Sequence, residues 1–452
     1  MFPTRPLSYQ TQTAIIEHFE ANFRITLVAR TPQLRTAEKS APLRCEKLIL
    51  DDFSTTINNH TYRIGLIREY GEHPIPKVHL EQNKEGGVNH DLNKYGFRVP
   101  LVECGVMDGD IMSPRTMDKE ERYDTAHVET PLMRNHVIAK VALSLLERRE
   151  IVLTEQEKML VDGEHQLIRA MLNFSVQNVR EFLAESVALL QPFRCKKRNS
   201  RPVYTPWVQL VIENQARQDF LRIPYRTHLC QTMKRLNNIL LGDRFLPVQV
   251  KELSVSFSEV LRVPVELRLK AQNFKTSSVL LEENCLTPLF RNQTIEKLTI
   301  PNDFDDSSFA EGTLVQNSRK IFIDGHGDDQ HVLSTMLTTL PNFYIYAIRQ
   351  CVIINAKNYY DLVQSWVARD RPIGATFVIG VRIHMIKTLI KKCLELFKNR
   401  NHGKIYKNTV KVPLENSLRL NVNFSQANRM DRERGEVSNF DTWILRATII
   451  GN

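Results

Sequence analysis

No Cys-x-x-Cys pair, no apolar run of about eighteen residues and no glycine-rich phosphate loop occurs in the 452-residue sequence. The seven cysteines (Cys45, Cys104, Cys195, Cys230, Cys285, Cys351 and Cys393) are odd in number and tens of residues apart. That spacing points to reduced thiols, and argues against a disulfide framework or a zinc site. The best candidate for a membrane span, ATFVIGVRIHMI, is broken by Arg382 and His384, and the first ten residues carry no secretory apolar run. A cytoplasmic or nuclear protein that does not cross a membrane is expected. None of the 13 histidines lies in a His-Glu-x-x-His or Gly-x-Ser-x-Gly context, so they read as structural or exposed groups.

The content that remains is that of a globular chain of two or three domains. Hydrophobic residues make up 42% of it, enough for a substantial core. The formal net charge of +10 favours acidic partners in general, but Lys and Arg are spread along the chain. Without interleaved exposed aromatics or a recognised module, nucleic-acid binding is not expected.

Periodicity divides the chain into three parts. In residues 1–45, Ala14, Ile15, Ile16 and Phe19 place an apolar stripe on one short helix, and Phe23, Leu27 and Val28 repeat it on a second. Glu20-Ala21-Asn22 reads as the connection, and Thr31-Pro32 as the cap and first position of a third helix. Such a unit is too small to hide its own stripe and should dock it elsewhere. In 46–192, KLILDDF and TYRIGLI alternate like strands around INNH. Polar loops with short strands follow, then two or three helices from about Val137 to Leu190. The basic, proline-bounded PFRCKKRNSRP reads as a boundary; Lys196-Lys197-Arg198 is a weak nuclear signal or a solvated linker.

Residues 200–452 alternate strand-like and helix-like segments. The strand candidates are WVQLVI, VKELSVSF, VELRLKA, EKLTI, RKIFI, IRQCVII, TFVIGVRI, SLRLNVNF and WILRATII. Centred on Leu253, Leu267, Leu298, Ile321, Val352, Val378, Leu420 and Leu445, they are 14, 31, 23, 31, 26, 42 and 25 residues apart. Most intervals lie near the ~20–29-residue period of leucine-rich repeats, although Ile295-x-x-Leu298-x-Ile300-x-Asn302 misses the asparagine ladder by one place. Between strands, Tyr359, Leu362, Val363, Trp366 and Val367 give one amphipathic helix. Ile386, Leu389, Ile390, Cys393, Leu394 and Phe397 give another, with Lys387, Lys391, Lys392, Lys398 and Arg400 on its wet side. Gly374 should turn the chain into a strand. A mixed α/β or α+β fold ending in a degenerate leucine-rich-repeat-like array is expected.

DGHGDD (Asp324 to Asp329) is the stretch most like a metal site. It lacks the glutamate that an EF-hand needs twelve positions on, and reads as a solvated turn; the alternative is a metal-assisted hydrolase using Asp324, His326, Asp328 and Asp329. No cofactor is expected.

The chain resembles nematode F-box proteins that carry an F-box-associated region of unassigned function. The residues in common are PLSY (6–9), LVAR (27–30), RTAEK (35–39), KYGFRV (94–99), YTPWVQLVI (204–212), VKELSV (250–255) and WVARDRPIG (366–374), in order along nearly the whole chain. The order Pro6-Leu7, the polar Gln12 and Pro32 depart from the usual F-box pattern. The resemblance implies that 1–45 is a helical module binding a Skp-type adaptor protein, with Leu7, Ile15, Ile16, Phe19, Phe23, Leu27 and Val28 as its apolar positions, some facing the adaptor and some packing inward. It implies a non-enzymatic role: linking an unknown protein substrate, held by 200–452, to a cullin ubiquitin ligase. The alternatives are a repeat-type interaction scaffold with no ubiquitin role, and a stripe that only caps the array.

Overall fold

The computed structural model describes residues 7–113, 124–277, 279–282, 285–290, 293–301, 312–324, 337–350, 355–381, 386–415, 417–433, 437 and 442–451. The expected strand residues 351–354 lie outside them, as do His326, Asp328 and Asp329. Among the described residues no helix is long and apolar enough to cross a membrane, and all six described cysteines are free.

The fold is mixed α/β around one large mixed sheet. The chain begins with α1 (Tyr9–Glu17), α2 (Ala21–Arg30), a 3-10 turn at Pro32–Leu34 and α3 (Arg35–Ser40). Three strands follow: β1 (Arg44–Leu50), β2 (Ser54–Ile57) and β3 (His60–Glu69). The polar tract after β3 contains α4 (Lys77–Lys84) and the short strands β4 (Asp91–Leu92), β5 (Arg98–Val99) and β6 (Ile111–Met112). Four helices come next: α5 (Ala126–Glu147), α6 (Glu155–Val161), α7 (His165–Met171) and α8 (Val176–Arg198).

The expected linker is not one. Pro192 to Arg198 form the last turns of α8, where Lys196 pairs with Asp124 and Lys197 with Glu129 at 2.6 and 2.7 Å. Those cations are spent on the start of α5. The sheet also ignores the expected division at 192–200, since β3 pairs with β7 (Thr205–Glu213) and β1 with β9 (Val248–Val255).

The remaining strands are β8 (Gln218–Pro224), β10 (Val260–Leu261), β11 (Leu269–Thr276), β12 (Ile295–Pro301), β13 (Ser318–Asp324), β14 (Tyr344–Gln350) and β15 (Thr376–Val381). The chain closes with β16 (Lys404–Tyr406), β17 (Thr409–Pro413), β18 (Leu418–Gln426) and β19 (Trp443–Gly451). Across the sheet the order is β16-β17-β18-β19-β15-β14-β13-β12-β11-β9-β1-β2-β3-β7-β8. From β1 to β15 the neighbours are parallel, and both flanks are antiparallel.

The parallel strands share one inward pattern. Residues i, i+3 and i+5 are buried in Val250/Leu253/Val255, Ala271/Phe274/Thr276, Ile295/Leu298/Ile300, Ser318/Ile321/Ile323 and Asn342/Ile345/Ala347. The middle members Leu48, Leu253, Phe274, Leu298, Ile321, Ile345 and Phe377 are Cα partners in unbroken succession. From Leu253 onward these anchors are 21, 24, 23, 24 and 32 residues apart. This corrects the sequence reading at Leu267, which lies before β11; Val352, the centre chosen for IRQCVII, lies outside the described residues. Buried rings cross from strands to helices, as in Phe274–Phe290 and Trp366–Phe377.

The two later helices form as expected. Ala356–Val367 buries Tyr359, Leu362, Val363 and Trp366, and Ile386–Asn401 buries Leu389, Ile390, Cys393 and Phe397, with its lysines outward. Gly374 turns the chain at φ +88°, a conformation glycine enters without Cβ strain, and its N–H bonds Ile449 O. The segment Leu229–Leu241, read from sequence as neither strand nor helix, is α9, which buries Leu229, Met233, Leu236 and Leu240.

His79 is buried under Tyr70, whose hydroxyl lies 2.6 Å from its Nδ1. Burial, and then the nearby Arg68, pull its pKa down to about 3; burial and then Arg98 pull His90 down to about 4. Both folded values lie below the ordinary ~6.5, so an acidified unfolded chain takes up protons that the fold refuses. Thermal unfolding should therefore move to lower temperature as pH falls from 7 towards 4, and His79→Gln should flatten part of that slope. An unchanged slope in the variant would contradict this.

Candidate partner-docking surface

The N-terminal helices are short and locally capped. Ser8 Oγ accepts from Thr11 N at 3.2 Å to start α1. Glu20, expected in a connection, is the cap of α2: its carboxylate accepts from the backbone N–H groups of Asn22 and Phe23 at 2.7 and 3.1 Å. Thr31 makes no side-chain cap, and the third helix begins as the 3-10 turn at Pro32.

The inner face of α2 has Ala21 and Ile25 against the core and buried polar groups on either side of them. Arg24, 1% exposed, donates to Glu38 Oε1 (3.2 Å), Glu38 O (2.8 Å), Ala41 O (3.0 Å) and Pro42 O (2.7 Å). Glu38 is also paired with Arg244 at 3.0 Å. Two residues earlier, buried Asn22 donates to Ile57 O at 2.9 Å and accepts from the Tyr62 hydroxyl at 3.1 Å. Lys39 Nζ reaches Ile239 O at 3.0 Å, joining α3 to α9; burial and the neighbouring Arg244 push its pKa down to about 8. Buried groups of this kind are tolerated because each finds its partners.

Several apolar residues of these helices are left outside. Leu7 is 55% exposed, Ile15 41%, Phe19 36% and Phe23 52%; Leu27 and Val28 are half-buried. Phe19 and Phe23 meet edge to face, centroids 5.0 Å apart at 87°. Only Ile16 of the seven expected positions is withdrawn, packing on Ala37, Ala41 and Leu34. Single exposed apolar residues are ordinary, but an aromatic pair beside further aliphatic groups is the composition of a contact surface. Each such side chain gains roughly 1.5–3 kcal/mol when a partner removes it from water.

The other candidates divide differently. Asp324 ends β13, buried, with Lys275 Nζ 4.0 Å away. The sequence reading missed a cluster of Asp91, Cys104 and His228, the one group among the described residues with metal-ligand geometry. Asp91 already accepts from the Tyr225 hydroxyl (2.7 Å), the backbone N–H groups of Leu229 and Cys230, and the Cys104 thiol. Its carboxylate thus holds the first turn of α9, favourably placed at the positive end of the helix, and that role accounts for its burial. No spacing rule joins residues 91 and 229; only the fold does.

A family model described as a domain of unknown function (DUF3557) matches residues 228–383. The match opens at the cap of α9 and takes in the parallel strands β9 to β15. No curated protein and no solved structure matches the chain.

The burial of Arg24 and the exposure of Phe23 on α2 set opposite expectations for substitution. Arg24→Met should cost about 3 kcal/mol of stability, because Glu38 and three carbonyls lose their donor. The double change Phe19→Asp with Phe23→Asp should stay within about 1 kcal/mol, as for exposed sites. Denaturant unfolding monitored by circular dichroism measures both; equal losses would refute this contrast.

Proposed function

We propose that the chain is a non-enzymatic substrate adaptor of the F-box type. Its N-terminal helices engage a Skp-type adaptor protein through the Ile15, Phe19 and Phe23 surface, and the strand array carries a substrate polypeptide to a cullin ubiquitin ligase. The observation that carries this reading is α2 itself, which buries Arg24 and Asn22 and shows Phe23. A segment whose apolar residues served only to cap the array would turn them towards it. The departures from the F-box pattern fit around that surface: Gln12 donates to Leu7 O at 2.9 Å, and Pro32 ends α2 without covering Phe23.

The second reading, a repeat-type scaffold with no ubiquitin role, draws on the inward i, i+3, i+5 ladder, whose 21–24-residue spacing over β9 to β14 supports a degenerate leucine-rich-repeat-like array. The two share the array and differ at the N-terminus. Co-precipitation with a purified Skp-type adaptor separates them. The adaptor reading expects retention by the intact protein and loss of at least tenfold with Phe19→Asp plus Phe23→Asp at unchanged thermal stability. No retention, or equal retention by the variant, would overturn it and leave the scaffold.

A further inference from the structure

We propose that the open cavity beside Lys297, on the face of the parallel strands away from the inward ladder, binds an acidic segment of a partner polypeptide, seating a carboxylate among lysines. Calling that segment the substrate rests on the adaptor reading; the binding site itself does not.

The residues between the inward positions form two rows across the sheet, perpendicular to the strands. Cα partners give Lys47, Glu252, Asn273, Lys297, Lys320 and Tyr344 in the first row. The second runs Ser254, Lys275, Thr299, Phe322, Tyr346 and Val378. Strands lie about 4.8 Å apart, so the first row and the Ser254, Lys275 and Thr299 part of the second present side chains at a regular step, whereas Phe322, Tyr346 and Val378 are buried with Val437 and Ile444. Between the rows is an open cavity of about 330 Å³, lined by Lys47, Lys275 and Lys297 against one carboxylate, Glu252, with Asn273, Ser254 and Thr299 as neutral hydrogen-bonding groups. That volume is enough for one or two side chains.

Lys297 is the focus. Its ammonium lies 3.9 Å over the Phe322 ring, which stacks on Tyr346 at 4.4 Å and 12°. Among the described residues no carboxylate lies within ion-pair distance of it. Burial lowers its pKa; Glu252 and Asp324 act in the opposite direction, and Lys320 adds a smaller lowering. A cation held partly out of water without a contact counter-ion has lost solvation that an incoming carboxylate restores. Lys320 is already engaged by Glu296 at 3.2 Å, and Lys275 stands 4.0 Å from Asp324, so the site is tuned for one anionic group rather than a run of them. Phe322 and Tyr346 are themselves buried with Val378, Val437 and Ile444, so they fix the ammonium in place and leave the cavity's lysines to meet a ligand.

The test uses the full chain and a fluorescein-labelled seven-residue peptide with one central glutamate between serines, read by anisotropy. Saturable binding is expected, at least tenfold weaker when glutamine replaces glutamate, and weaker as salt is raised. Lys297→Met, which keeps the stem, should weaken it about tenfold, while Lys398→Met on the wet side of the helix Ile386–Asn401 should leave it unchanged. No binding, equal binding of the glutamine peptide, or equal binding by a folded Lys297→Met variant would overturn the proposal. So would more than tenfold tighter binding of a phosphoserine-containing analogue, which would reassign the anion. Adaptor capture by Lys297→Met, run in parallel, should be unchanged; loss of either activity without the other tells which of the two readings has failed.

Discussion

The placement of one guanidinium governs what the N-terminal region can offer. Arg24 is withdrawn from water and held by the Glu38 carboxylate and three carbonyls at the junction of α3 and β1. A buried guanidinium is stable only where such a set of acceptors is in place. The same helix places Asn22 against Ile57 O and Tyr62. At 100° per residue Asn22 and Arg24 lie on the two sides of the face that Ala21 and Ile25 turn inward, and Phe23, between them on the far side, faces solvent.

The sheet supplies a fixed base for this arrangement. Leu48 of β1 and Leu253 of β9 are partners in the same parallel ladder that continues to Phe377, so the strand following the N-terminal helices belongs to the array itself. Glu38 and Arg244, and Lys39 and Ile239 O, tie α3 to the segment leading into β9. The N-terminal helices and the open strand face are thereby joined through one hydrogen-bonded structure, which under the proposed reading would hold two partners in a fixed relation.

Much of this was legible locally. Ile16 and Phe19, and Tyr359 to Trp366, announce their helices by 3.6-residue spacing, and the strands KLILDDF and TYRIGLI by alternation. The side on which α2 packs was not legible, because Arg24 finds its partners 14 to 18 residues away and Asn22 35 to 40 residues away. The strand centre chosen by local hydrophobicity at Leu267 was misplaced, yet alignment on i, i+3, i+5 would have found Phe274. The basic tract at Lys196 looked like a linker because its acidic partners, Asp124 and Glu129, lie about seventy residues earlier, just before α5 and on its first turn. Lys297 carries no signal in one dimension. Its neighbours Phe322 and Lys320 are brought beside it only by the parallel register.

The central claim is that the exposed side of α1 and α2 is covered by a Skp-type adaptor. Amide hydrogen exchange of the intact protein, alone and with that adaptor, measures this at the level of segments. The account predicts slowed exchange confined to residues 9–30 on complex formation, with β9 to β15 unchanged. Unchanged exchange across 9–30, or protection that appears only on the strand array, would contradict it.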